Sequence, residues 1–304
     1  MAADPARITE GSRGGALRSL SRLAWRRPWL KGIGQISLPV GAFLLVYVAA
    51  LVALLVQSFW TTDSFTGKLV HDWSLDNFRL LTDQPYPRIV LRTVVIASAV
   101  TVTCAMLALP YAYFLVRVAS RRLRLALLVA SVLPLWVSYL VRVYSWRLIL
   151  NPDGALNWAL NGLGLPDQNI AYTNWAMWLV FTYIWLPFMI LPVYAALERI
   201  PGSLLEASGD LGARGWTTFR RVTLPLAIPG LAAGSIFTFS LTLGDYIAPS
   251  LVGGPGSQLI GNVVFDNIGL ANNAPFAAAF ACIPLAIMAV YLAVMKRLGA
   301  FDSL

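Results

Sequence analysis

Histidine, cysteine and charge are all scarce in this chain of 304 residues. There is one histidine, His71, and there are two cysteines, Cys104 and Cys282. One histidine excludes a histidine-rich metal site. Two cysteines exclude a disulfide-dense secreted scaffold. Charged residues make up 12%, about half the usual share of a soluble domain. Hydrophobic residues make up 58%, and the mean hydropathy is +0.68. That balance excludes a disordered chain and argues against a cytosolic enzyme.

The few charges leave long uncharged runs at 32–62, 93–116, 125–141, 168–197, 222–244 and 267–295. A bilayer core about 30 Å thick takes roughly 20 helical residues. Five runs reach that length. The run at 125–141 is shorter, and becomes a span only if its helix continues through Arg142 and Arg147. The expected architecture is all-α, with six transmembrane helices near 33–57, 91–116, 125–149, 175–197, 227–248 and 275–295. Residues 246–265 contain Gly253-Gly254-Pro255-Gly256, which breaks a helix, and read as an outer loop. The two cysteines fall inside spans, as small apolar packing residues.

The net charge of +9 raises the question of nucleic acid, and its distribution answers it. With the N-terminus inside, the four inner segments hold 17 of the 23 basic residues. Positive charge flanking the spans on one side places both termini in the cytoplasm. No single basic patch exists to bind nucleic acid. Residues 1–32 form a basic tail preceding the span domain, 33–304. Arg26-Arg27 before an apolar run has the look of a twin-arginine export signal. The run is too long for one and no small-residue cleavage site follows, so it reads as an anchor. Trp25, Trp29 and Trp60 suit the two ends of the first span.

In the outer loops, Ser74 to Leu81 reads as a short amphipathic helix with Ser74 at its start. Asn151-Pro152-Asp153-Gly154 is a turn, and Leu156, Trp158, Leu160 and Leu163 mark a short apolar helix after it.

The inner segment 198–226 holds the densest pattern. Pro201-Gly202 stops the fourth span. Ser203-Leu204-Leu205-Glu206 has capping-box spacing and opens a short helix. Gly212 falls where a helix end needs a positive φ. A second short helix is expected from Trp216 to Val222, with Phe219, Arg220 and Arg221. Pro225 and Pro229 bend the start of span five, and Gly230 to Gly234 permits close helix packing. An elbow of this kind suits docking into a soluble partner, or resting on lipid headgroups.

Glu206-Ala207-Ser208, Asp210-Leu211-Gly212-Ala213, Phe219 and Leu224-Pro225 resemble the EAA loop of ABC-importer permeases. Ser208 stands where that pattern has a second alanine. Further resemblance is to spermidine/putrescine permeases, in Pro134-Leu135-Trp136, Leu140-Val141-Arg142-Val143-Tyr144 with Trp146, Leu75-Asp76-Asn77-Phe78, Gly154-Ala155-Leu156-Asn157 and Gly244-Asp245-Tyr246. The resemblance implies a type I importer permease fold in a bacterial inner membrane. It implies a second homologous permease, two ATP-binding subunits, and a periplasmic or lipid-anchored solute-binding protein. The elbow would then be the coupling helix that meets the ATP-binding subunit.

Arg142, Arg147 and Asp245 lie at or near membrane depth, where a charge costs about 2.5–3.5 kcal/mol and faces a cavity or a partner. Two readings of Asp245 stay open. In one it holds a cationic substrate, with Trp136, Tyr139, Tyr144, Trp146 and Tyr246 offering aromatic faces to ammonium groups. In the other it pairs with Arg142 and joins spans three and five. The arginines suit an anionic or zwitterionic cargo, so opine, amino-acid-like and phosphonate substrates stand beside polyamines. No glycine-rich loop ending in Gly-Lys-Ser or Gly-Lys-Thr occurs, so ATP and its Mg are expected in partner subunits. No metal-ligand cluster and no nucleophile elbow is present, and no cofactor or catalytic residue is expected in this chain. An acid pair of Asp245 and Asp266 and a self-sufficient secondary transporter are the competing readings.

Overall fold

The computed structural model describes residues 28–63 and 66–297, with side chains from residue 36 onward except at 38. Residues 1–27 of the basic tail, with Trp25, and the Trp29 side chain lie outside what it describes. The chain divides into two units at residue 56. The first holds helix α1, Pro28–Gln57, which is apolar enough to cross a membrane from Pro39 onward and exposes Phe43, Leu45 and Val46.

In the second unit, strands β1 (Thr61–Thr62) and β2 (Leu69–Val70) form a small antiparallel hairpin. Helix α2 (Asp76–Leu80) follows. It is shorter than expected and Ser74 does not cap it. Leu75 holds that position, and the Ser74 hydroxyl accepts from the Asp76 N–H at 3.0 Å instead. Asn77 is buried and donates to the carbonyls of Ser58 and Trp60, which ties the helix to the hairpin.

The core is built by three long helices, α3 (Tyr86–Arg117), α7 (Asn174–Glu198) and α10 (Leu224–Gly244), packed on one another. On α3 the buried positions Val100, Cys104, Ala108 and Ala112 recur at a four-residue interval, one stripe of a helix. They meet Phe181, Ile184, Met189 and Val193 of α7. The approach of α10 to α7 depends on two glycines. A Cβ at Gly230 would stand 2.5 Å from the Ala196 Cβ and 2.6 Å from the Pro192 carbonyl. One at Gly234 would stand 3.0 Å from the Met189 Cα. Cys104 is buried, Cys282 is half-buried, and both are free thiols.

The third expected span is not one helix. Helix α4 (Arg121–Val132) runs into a tight turn at Leu133–Trp136. After a bend of 96° the chain resumes as α5 (Tyr139–Leu150) and α6 (Ala155–Gly162). Pro134 lies in the tight turn, and Val137 and Ser138 are extended, which ends the helical run. Among the described residues, five helices therefore meet the length and apolarity of a span, and six if the bent pair counts as one.

Residues 246–265 are not a loop either. Span five stops at Gly244, and helices α11 (Ile247–Val252) and α12 (Ile260–Gly269) follow, separated by the Gly/Pro run. Gly253 and Gly254 press against the Pro249 and Tyr172 carbonyls, too close for a side chain. The last helix is α13, Ala274–Arg297.

Candidate functional site

The elbow opens where α7 ends. Pro201 is extended and lacks an N–H, so it separates α7 from helix α8, Gly202–Asp210. The capping box expected at Ser203 does not form. The helix begins two residues earlier with Pro201 in the cap position, which leaves Ser203 already inside the first turn. The far end of α8 matches the expectation. Gly212 has φ +79°. Its N–H bonds the Gly209 carbonyl at 2.8 Å, and the Ala213 N–H bonds Ser208 at 3.1 Å. This paired closure satisfies two carbonyls that a helix end leaves orphaned.

The predicted second helix, Trp216 to Val222, is not a separate element. Helix α9 (Gly215–Thr218) passes through one wide turn, Phe219–Thr223, directly into α10. In that turn the Leu224 N–H bonds the Phe219 carbonyl five residues back. The extra width makes room for Pro225, which has no N–H to give. Phe219 anchors the elbow, with its ring edge-on to Tyr113 of α3 at 5.6 Å and stacked on Trp216 at 5.5 Å. Ser208 bonds Thr218 at 2.9 Å, so the hydroxyl in place of the usual alanine joins α8 to α9.

No residue of α8 is buried. Glu206, Ala207 and Asp210 are exposed, Leu204 is 44% exposed, and beyond them Leu211 is 88% and Trp216 72% exposed. Apolar side chains of that size, rimmed by Glu206, Asp210 and Arg220, form a surface of the type that partners cover.

At the opposite end of α10 a second cluster forms. The Tyr139 hydroxyl, at the start of α5, donates to the Asp245 carboxylate. The other carboxylate oxygen of Asp245 accepts the Ala248 N–H at 2.9 Å, at the start of α11. Among the described residues no ion pair joins Asp245 to Arg142, so the salt bridge of the second reading is not formed and this hydrogen bond joins the two elements instead. The cause is local. Arg142 is one turn beyond Tyr139, and its guanidinium lies 5.8 Å from the centre of the tyrosine ring. Arg142 is 9% exposed, and its Nε and Nη1 are buried with no hydrogen-bond partner.

Trp185 of α7 completes the cluster. Its ring stacks on Tyr139 at 5.8 Å, and its Nε1 is also buried without a partner. A cavity of about 320 Å³ opens beside it, lined among others by Trp185, Ser240, Asp245 and Tyr246. Of the predicted path residues, Tyr139, Arg142 and Asp245 come together, with Tyr246 on the cavity wall stacked on Phe265. Trp146 stands apart, edge-on to Tyr183 at 5.3 Å, and Trp136 is 89% exposed. Sequence reasoning missed Trp185 and Ser240. The signal for Trp185 was an indole N–H inside an uncharged run, a donor that needs an acceptor.

Residues 105–300 match the family described as "Binding-protein-dependent transport system inner membrane component". The chain is 47% identical to "Inner membrane ABC transporter permease protein YdcU" of Escherichia coli (strain K12), over 95% of this chain and 96% of that one. It is 34% identical to "Spermidine/putrescine transport system permease protein PotB" of the same strain, over 85% of this chain and 94% of that one. Its fold is that of a solved "bacterial alginate ABC transporter in complex with alginate pentasaccharide-bound periplasmic protein", with TM-score 0.71 at 19% identity over 91% and 96% of the two chains. Several apolar helices make it a multi-pass inner-membrane protein. Matched over most of its length, the chain belongs to the binding-protein-dependent transport system inner membrane component family, as a non-enzymatic permease subunit of an ABC importer.

Proposed function

We propose that this permease lines part of the path of an importer for small polyamines, spermidine and putrescine among them, and that α8 is the helix through which a partner ATPase drives it. The observation that carries the docking half is α8 itself: nine residues, none buried, closed at Gly212 and followed by the exposed Leu211. Glu206, Ala207, Ser208, Asp210, Leu211, Gly212 and Ala213 would seat in the ATP-binding subunit. Phe219 and Pro225 fix the angle at which the elbow leaves the core. Two ATP-binding subunits holding ATP and Mg, a second permease and a solute-binding protein complete the assembly. Both termini of this chain face the cytoplasm.

The polyamine half is supported by the relatives named for spermidine and putrescine and by the cavity beside Asp245. A carboxylate has about four acceptor sites, so Asp245 can hold Tyr139 and Ala248 and still receive an ammonium group. One observation favours a second reading. The unpartnered Nε and Nη1 of Arg142 suit a cargo that brings an acceptor, as opine, amino-acid-like and phosphonate solutes do.

The test is uptake by the complete complex in proteoliposomes. Labelled putrescine or spermidine entering on addition of ATP supports the first reading. Rejection of both, with an amino-acid-like solute taken up, selects the second. Solute movement by this chain alone overturns the ATPase-driven role. Separately, Gly212→Glu is expected to release the ATP-binding subunits on co-purification, and a complex that survives it removes α8 from the interface.

A further inference from the structure

The elbow hangs from α7 by only two residues, Arg199 and Ile200, before Pro201. A link that short and free to bend would absorb any displacement of α8. Two arginines prevent that. Arg117, the last residue of α3, reaches across to the end of α7. Its Nη2 donates to the Ile200 carbonyl at 3.0 Å and to the Leu197 carbonyl at 3.5 Å. Arg124 of α4 fastens the end of α3 in turn. Its Nε donates to the Leu115 carbonyl at 2.8 Å and its Nη2 to Val116 at 2.9 Å. Its Nη1 stands 3.9 Å from Glu198, whose carboxylate also accepts from the Tyr194 hydroxyl at 2.7 Å.

The Leu115, Val116 and Leu197 carbonyls belong to the last turns of two helices and Ile200 follows just beyond α7, where the backbone dipoles leave partial negative charge. A guanidinium there satisfies several acceptors at once with planar, fixed geometry. Ile200 is buried, so the anchored residue is also held by packing.

We infer that Arg117 is a positioning residue for energy coupling: by holding the Leu197 and Ile200 carbonyls it makes the base of α8 rigid with the end of α3. Arg124 braces the same junction from α4. Displacement of α8 then moves two of the three core helices together. This rests on the reading of α8 as the ATPase-docking helix. Arg117 itself touches neither that surface nor the cavity beside Asp245.

The test uses the complete complex in proteoliposomes and reads three quantities: ATP-binding subunit co-purified, ATP hydrolysed, and solute moved per ATP. Arg117→Met keeps an unbranched apolar stem and removes the guanidinium donors. It is expected to leave assembly and hydrolysis near wild type while solute per ATP falls at least about fivefold, the lower end of typical coupling between sites. Arg117→Lys keeps the charge but not the planar fork, and is expected to fall between the two. Wild-type solute per ATP in Arg117→Met overturns the inference, as does a loss of uptake that only tracks the loss of assembled complex. If Arg117→Met does not assemble, Arg117→Lys decides, and wild-type solute per ATP in that variant overturns the inference. Failure of the docking reading is seen separately, as a complex that survives Gly212→Glu.

Discussion

The Tyr139 hydroxyl donates to the Asp245 carboxylate and so joins the start of α5 to the junction of α10 and α11. With the Ala248 N–H on its other oxygen, Asp245 both caps α11 and faces the cavity that it shares with Trp185 and Tyr246. Three elements therefore meet at one carboxylate, each supplying a different part of the site.

Asp245→Asn separates the structural duty from the charge. The amide oxygen can still accept the Ala248 N–H and the amide N–H can donate to the Tyr139 hydroxyl oxygen, so assembly and melting temperature are expected to stay near wild type. A cationic cargo loses a charge-assisted contact of about 1.5–3 kcal/mol, or roughly tenfold or more in uptake. Uptake measured with labelled putrescine and left unchanged by Asp245→Asn takes this residue off the path.

The two glycines of α10 make a prediction about packing. A methyl at Gly230 meets the Pro192 carbonyl and the Ala196 Cβ, neither of which has a flexible end to yield. Overpacking of this kind costs about 1–3 kcal/mol. Gly230→Ala is expected to lower the melting temperature of the purified permease. Gly162→Ala, where an added Cβ meets nothing within 4 Å, is expected to leave it unchanged.

What could be read from the sequence follows from how local each cause is. Charge is expensive in a bilayer wherever the chain later folds, so uncharged runs marked the long helices well. Gly212 was legible because a positive φ is a property of one residue. The break inside the third span was not legible, because Pro134 does not by itself say whether a helix bends or breaks. The break was set by the extended Val137 and Ser138 after it. The capping box failed because Pro201 took the cap position first. The Asp245–Arg142 pair failed on a matter of one helical turn, since Tyr139 and Arg142 share a face and only packing decides which of them meets the carboxylate. Trp185 was invisible because its role depends on what stacks against it from another helix.

Leu211 tests the surface of the elbow. It is almost fully exposed, so Leu211→Ala is expected to leave the melting temperature of the isolated permease unchanged. If it is a buried anchor in the assembled transporter, its loss costs about 2 kcal/mol or more, as interface anchors do. The expected result is a large fall in bound ATP-binding subunit, measured by titration in detergent. Unchanged affinity places Leu211 outside the interface.

Arg142 carries the sharpest opposition between stability and function. Two of its buried nitrogens lack partners, and a buried unpaired charge is costly to the fold that holds it. Arg142→Met replaces it with a shorter, unbranched apolar chain. The variant is expected to melt at a higher temperature than the parent while uptake by the complete complex falls, because a group kept against its folding cost is one that transport uses. Melting temperature and uptake measured on the same preparation decide it. A variant that gains stability and keeps full uptake shows Arg142 to be dispensable to the path. One that loses stability shows its guanidinium to have a partner that the fold requires.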